Sequence, residues 1–174
     1  MEQLSASPPS AWVARFTAAI TPGARVLDVA GGNGRHSRFL LAKGFRVTAV
    51  DRDIGGLASI PGLEVVGADL ENGAPWPFLG RGFAAIVVTN YLHRPLFPHL
   101  VASLVTGGIL IYETFQQGNE RFGRPSNPDF LLAPGELLRV AEAQRLTVLG
   151  YFSGYTTIPR PAVIQRIAAR QGTS

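Results

Sequence analysis

The residues best suited to chemistry lie in Val26-Leu27-Asp28-Val29-Ala30-Gly31-Gly32-Asn33-Gly34. An apolar, β-branched run carries one acid, Asp28, near its end. It breaks into Ala30, Gly31, Gly32, Asn33 and Gly34, then resumes as a helical pattern from Arg35. A strand feeding a glycine-rich turn and a helix is the pattern of a nucleotide-cofactor loop. Glycine lets a ligand lie against the backbone, and the helix start offers free N–H groups. A dinucleotide fingerprint read from Gly32 would place its third glycine on Ser37. Asp28 would also repel a pyrophosphate, whereas a cationic ligand group would accept it.

Other candidates lie where further strands should end. Asp51 follows an apolar run, seventeen residues beyond Gly34. An acid there can accept two hydrogen bonds from ribose hydroxyls, and Arg52 stands beside it on the same rim. Tyr91 and His93 follow a fourth run and are candidates for orienting a substrate or removing its proton. Glu113 ends a fifth run, where a carboxyl end would open on a pocket. The segment from Gln116 to Pro134 is long and unpatterned, which points to a lid, with Arg121 and Arg124 flanking Phe122 for an anionic or planar substrate.

These residues need elements to hold them. Ser10 is a plausible N-cap for a helix from Ala11 to Ile20, and residues 1 to 10 are expected to fray. Strands are expected at Arg25 to Val29, Arg46 to Val50, Leu63 to Gly67, Phe83 to Thr89 and Gly108 to Tyr112. Helices are expected at Arg35 to Lys43, Asp53 to Ser59, Leu96 to Leu104 and Pro134 to Ala143. Ala30, which is not glycine, predicts a negative φ. Leu146 to Phe152 and Ala162 to Ala168 form a final strand pair with no helix between them. Alternating strands and helices give an α/β sheet with right-handed crossovers, and the last pair gives an antiparallel edge.

The 174 residues, 46% hydrophobic and 16% charged, suit one globular domain over 1–174. No apolar run reaches the roughly 18 residues of a membrane span, and the N-terminus does not read as a signal peptide. Cysteine is absent, which removes thiolate ligands and nucleophiles; the default location is cytoplasmic. The three histidines, His36, His93 and His99, show no metal-ligand spacing, so no metal is expected. His36 reads as a helix-start residue and His99 as a helix-face residue. The net charge of +4 comes from scattered arginines with no basic run, so a nucleic-acid partner has little support and a small molecule is the expected substrate.

The Asp28–Gly34 motif resembles motif I of the class I, Rossmann-like S-adenosylmethionine (SAM)-dependent methyltransferases. Asp28, Gly32 and Gly34 match, and Ala30 replaces the first glycine. Glu113-Thr114-Phe115 with the Gly118-to-Pro128 loop looks like the small bacterial tellurite-resistance-like type. The resemblance implies a doubly wound, seven-stranded, mostly parallel sheet with an antiparallel final strand and helices on both faces. It implies SAM as cofactor and S-adenosylhomocysteine (SAH) as product. It gives Asp51 the ribose, Asp69 the adenine amino group, the Leu70 N–H a ring nitrogen, and Asn90 the methionine end. The reaction implied is in-line methyl transfer, in which the cofactor carries the difficult chemistry and the protein positions the reactants. An RNA or protein acceptor stays open. So do a non-catalytic SAM-binding protein and a nicotinamide oxidoreductase. The last is disfavoured because Lys43, the only lysine, has no partnering tyrosine ahead of it.

Overall fold

The computed structural model describes residues 7–172. Its order is α1 (Ala11–Thr17), β1 (Arg25–Val29), α2 (Arg35–Ala42), β2 (Arg46–Asp51), β3 (Glu64–Gly67), β4 (Phe83–Thr89), α3 (Phe97–Ala102), β5 (Leu104–Phe115), α4 (Glu136–Ala143), β6 (Leu146–Thr156) and β7 (Ala162–Gln171). The seven strands form one sheet in the order β3-β2-β1-β4-β5-β7-β6. The first five run parallel. β7 is inserted antiparallel between β5 and β6. The fold implied by the resemblance is therefore observed.

Period-two alternation sorts side chains to the two faces. Val26, Val47, Ala85, Val87, Ile109 and Ile111 pack with α1 and α2. Leu27, Val29, Val50, Ile86, Val88, Leu110 and Tyr112 pack with α3 and α4. Strands buried on both sides read as continuous apolar runs, as β4 does.

Several expectations are corrected. Asp53 to Ser59 forms turns rather than a helix; Gly55-Gly56 disfavours a helix, and Leu57 and Ile60 still bury against Ala49 to cover β2. β3 and β4 are likewise joined without a helix. Trp76 and Phe78 fill that space, Phe78 standing edge-on to Phe83 at 5.6 Å, while Trp76 Nε1 donates to Ser103 Oγ at 2.9 Å. α1 stops at Thr17 and α2 at Ala42, with Gly44 following at φ 85. α3 is short, preceded by a 3-10 turn at Arg94–Leu96. Pro134 lies outside α4, whose cap is Gly135 at φ 72. β5 runs from Leu104, earlier than expected, because a register shift opposite Phe83 and Ala85 carries it past Gly107-Gly108. β6 and β7 both extend further because each pairs with the other along its length.

The expected fraying of residues 1 to 10 falls partly outside the described residues. Within them, Ser10 is fixed: its Oγ accepts from Trp12 N at 3.1 Å and donates to Glu113 at 3.2 Å. No helix of the described residues is long and apolar enough to cross a membrane.

Candidate functional site

Parallel register brings the carboxyl ends of β1 to β5 to one edge. Asp51 lies opposite Gly67, Val29 opposite Val88, and Thr89 opposite Glu113. Such an edge is where open α/β sheets hold ligands.

The glycine turn leaves β1 there. Ala30 has φ 53, not the negative value expected. The chain must turn sharply while Gly31 N donates to Val50 O at 3.2 Å, and that geometry overrides the side chain's preference at a cost of about 1–2 kcal/mol. Gly32 at φ 53 and Gly34 at φ 76 also use the left-handed region. A Cβ on Gly32 would meet nothing within 4 Å, so this backbone faces open space that a ligand can approach. Gly34 N donates to Gly31 O at 2.8 Å and closes the turn. α2 follows with no side-chain cap on its first amides.

The acids divide by burial. Asp28 is buried, accepts from Ser37 Oγ at 2.6 Å, and stands under the turn rather than in the cleft. Burial pushes its carboxyl up to about 6 despite the Ser37 hydrogen bond. Its expected contact with a cationic ligand group therefore gives way to a supporting one. Asp51 is half-buried. Its Oδ2 accepts from Gly32 N at 2.9 Å and its Oδ1 from Asp53 N at 3.0 Å. Each oxygen keeps a second lone pair, enough for a vicinal diol. Asp69 Oδ1 accepts from Glu71 N at 2.9 Å, which fixes the turn after β3. Ala30, Asp51, Arg52, Asp69, Leu70 and Tyr91 line one cleft of about 340 Å³. Asn33 stands behind it. A Cβ on Gly56 would approach the Asn33 Cα to 2.9 Å, so Gly56, a residue the sequence reading passed over, lets the 53–59 turn pack against the glycine turn.

A second cavity of about 200 Å³ adjoins this cleft through Glu71, Tyr91 and Phe130, and reaches Asn90, Thr114 and Phe115. Asn90 is exposed at φ 53, its N–H donating to Glu113 O at 2.9 Å. Strained non-glycine backbone thus rims the site at the ends of both β1 and β4. Tyr112, buried beneath, donates from its hydroxyl to Tyr91 O at 2.7 Å and holds the turn. Burial, then the Glu71 carboxylate, pushes the Tyr91 phenol above its ordinary range, so it stays neutral.

The other two expected acceptor-side residues do not line that cavity. Glu113 is ion-paired with Arg166 at 2.5 Å and accepts from Ser10. Its β-strand neighbours Tyr112 and Thr114 point the opposite way, and Thr114 lines the cavity instead. His93 lies away from it, in a cavity of about 660 Å³ that it lines with Trp76 and His99 and that adjoins the first cleft through Ala68, Asp69, Leu70 and Glu71. Leu92, between Tyr91 and His93, is buried and lines the second cavity with Tyr91.

His36, expected only to start a helix, is buried at the junction of three elements. Its Nε2 accepts from Ser10 N at 3.1 Å, which leaves Nδ1 as the donor to Thr89 Oγ1 at 3.3 Å. Burial and then Arg35 hold it down to about 4, so the ring is neutral.

The 116–135 segment is pinned rather than loose. Arg94 donates to Glu136 at 2.6 and 3.0 Å and to the carbonyls of Asp129 and Leu131 at 3.1 and 3.0 Å. Asn119 is buried, bonding Pro125 O and Val163 N at 3.1 Å each. Phe130 and Pro125 reach the second cavity, whereas Arg121 and Arg124 do not line it. Phe122 packs on Tyr155 at 5.0 Å instead.

A family model described as tellurite resistance protein TehB matches residues 9–70. No curated protein matches the chain in sequence. TehB from Haemophilus influenzae is similar in structure at 18% identity and a TM-score of 0.74, over 91% of this chain and 61% of that one. The chain thus spans 61% of the length of that relative. The 1,6-didemethyltoxoflavin-N1-methyltransferase of Burkholderia thailandensis, solved with bound SAH, matches at 17% identity and TM-score 0.66, over 94% of this chain and 78% of that one. The N-methyltransferase NodS of Bradyrhizobium japonicum WM9, in complex with SAH, matches at 16% and 0.67, over 92% and 84%. At such identities the likeness is one of fold. The chain has the Rossmann-like fold of the class I SAM-dependent methyltransferases, and over residues 9–70 its sequence is similar to the TehB type.

Proposed function

We propose that residues 1–174 form one domain acting as a SAM-dependent methyltransferase on a small molecule. The observation that carries this reading is the meeting of two cavities at Tyr91, Glu71 and Phe130. One has the acceptors an adenosine needs, and the other has room for a small second reactant. The fit to the cofactor rests on Asp51, whose two oxygens keep lone pairs for ribose hydroxyls, on Asp69 and the Leu70 N–H for adenine, and on the open backbone of Gly32. Asn90 stands where the methionine end would lie. SAM, when bound, supplies an electrophilic methyl on a sulfonium.

The chain's own part is positional. The strand ends fix the ligand's length, Asn90 and Tyr91 border the junction, and Phe130 with Pro125 restricts water. His93 and Glu113 are not bases in this reading, since neither lines the acceptor cavity. Support for a small acceptor comes from the size of that cavity and from the pinned loop above it. SAH-bound relatives that methylate a toxoflavin precursor or act as N-methyltransferases agree with it.

The test is calorimetric titration with SAH, with NADH run in parallel. Micromolar binding of SAH alone is expected. Binding of NADH alone, or of neither, removes the reading.

A further inference from the structure

We propose that the methyl acceptor is a small primary or secondary amine, recognised as a cation by Glu71 and the rings beside it. This rests on the methyltransferase reading above.

The 200 Å³ cavity is walled by Tyr91, Phe115 and Phe130, with Glu71 at its edge. The chain carries a formal charge of +4 and sixteen basic residues, yet none of them lines this cavity. Glu71 is its one carboxylate. Among the described residues the ion pairs are Arg81–Glu64, Arg94–Glu136 and Arg166–Glu113, so Glu71 is not committed to an arginine as those glutamates are. Rings beside a carboxylate that no arginine pairs attract cations. An oxyanion or thiolate would meet repulsion from Glu71, while Arg52, in the adjoining cleft, and Arg160, over the Phe115 ring, both stand outside the cavity's lining. Arg160 already lies 5.8 Å from the Phe115 centroid, so Tyr91 and Phe130 are the faces left to a ligand.

Glu71 also lines the 340 Å³ cleft, so one carboxylate borders both cavities. That placement suits amine methylation. The bound ammonium sheds a proton to water, and the free amine lone pair attacks the methyl carbon. The new N–C bond replaces the S–C bond, whose electron pair stays on sulfur. The positive charge passes from sulfur to nitrogen. A carboxylate at the border of both cavities stabilises positive charge on either reactant. A hydroxyl or thiol acceptor that loses its proton on attack ends neutral and draws nothing comparable from Glu71.

The test titrates wild-type protein with SAH, then titrates the SAH-saturated protein with choline, its uncharged shape-match 3,3-dimethylbutan-1-ol, and selenite. Choline is expected to bind at least about tenfold tighter than the alcohol. In Glu71→Gln that preference should fall below about threefold, and selenite should not bind. Equal binding of the two probes, tighter binding of selenite, no binding of choline, or an unchanged preference in Glu71→Gln overturns the proposal while SAH binding upholds the methyltransferase reading. Failure of SAH to bind overturns that reading, and the amine with it.

Discussion

The two halves of the site rim are built differently. The half at β1, β2 and β3 is made of bonds to backbone amides: the glycine turn, Asp51 accepting from Gly32 and Asp53, and Asp69 accepting from Glu71. The half at β4 and β5 is made by side chains far apart in sequence. Arg94 ties Glu136, Asp129 and Leu131, Asn119 ties Val163, and Tyr112 holds Tyr91. The first half presents acceptors whose types alone announce a ligand. The second half presents a cavity whose lining depends on which way each strand-end residue turns. The first half can thus be recognised from residue types, while the second is a product of packing.

The largest predicted effect probes what lies beneath the first half. Burial raises Asp28 to about 6 from 3.8 and lowers His36 to about 4 from 6.5. As pH falls from about 6.5 to 4, the unfolded chain takes up a proton at His36 that the folded chain refuses, so stability is lost. As pH falls from about 6 to 3.8, the folded chain takes up a proton at Asp28 that the unfolded chain does not, so stability is gained. The two responses oppose each other. Asp28→Asn removes the gain, so its stability relative to wild type should decline by on the order of 3 kcal/mol between pH 7 and pH 4. Urea unfolding at pH 7, 5.5 and 4 measures this; a constant difference would show that Asp28 titrates normally.

Next, Asp51→Ala should weaken SAH binding by about 1–3 kcal/mol, roughly ten- to a hundredfold, by calorimetry. Unchanged affinity would take ribose recognition away from β2. In the other half, Arg94→Ala should cost about 1–2 kcal/mol of stability. It should also speed proteolysis within residues 116–135, while SAH affinity stays within about twofold. A large loss of SAH affinity would show that the halves are not separable. The smallest effect lies away from both. Arg81 holds Glu64 down at about 2 through hydrogen bonds that Thr48 supplements, but the pair is surface-exposed, so Glu64→Gln should change the melting free energy by less than about 1 kcal/mol.

Much of the fold was legible because burial on both faces leaves long apolar runs that few other structures tolerate. β1 and β4 match their expected bounds, and the helix-free final pair marked the antiparallel edge. The missing helix at 53–59 was misread because Leu57 and Ile60 bury as a helix face would, although Gly55-Gly56 directs turns. Asp51 and Asp69 stood out as candidates because acids recur at the ends of successive apolar runs. Glu71 did not, because a loop glutamate has many structural uses. The burial of His36 leaves no local signal, because its partners Ser10 and Thr89 lie 26 and 53 residues away in sequence.

The sequence by itself determined the strand–turn–helix unit at Asp28–Gly34, the acids at the ends of β2 and β3, and the class of sheet. Each depends on residue type and near-neighbour spacing. Only the tertiary structure decided that Ala30 adopts a left-handed backbone, that Glu113 is spent on Arg166 and Ser10, and that His93 faces a different cavity from Tyr91. Those outcomes follow from which side of a strand a residue occupies once distant segments have packed, and near-neighbour spacing carries no record of that.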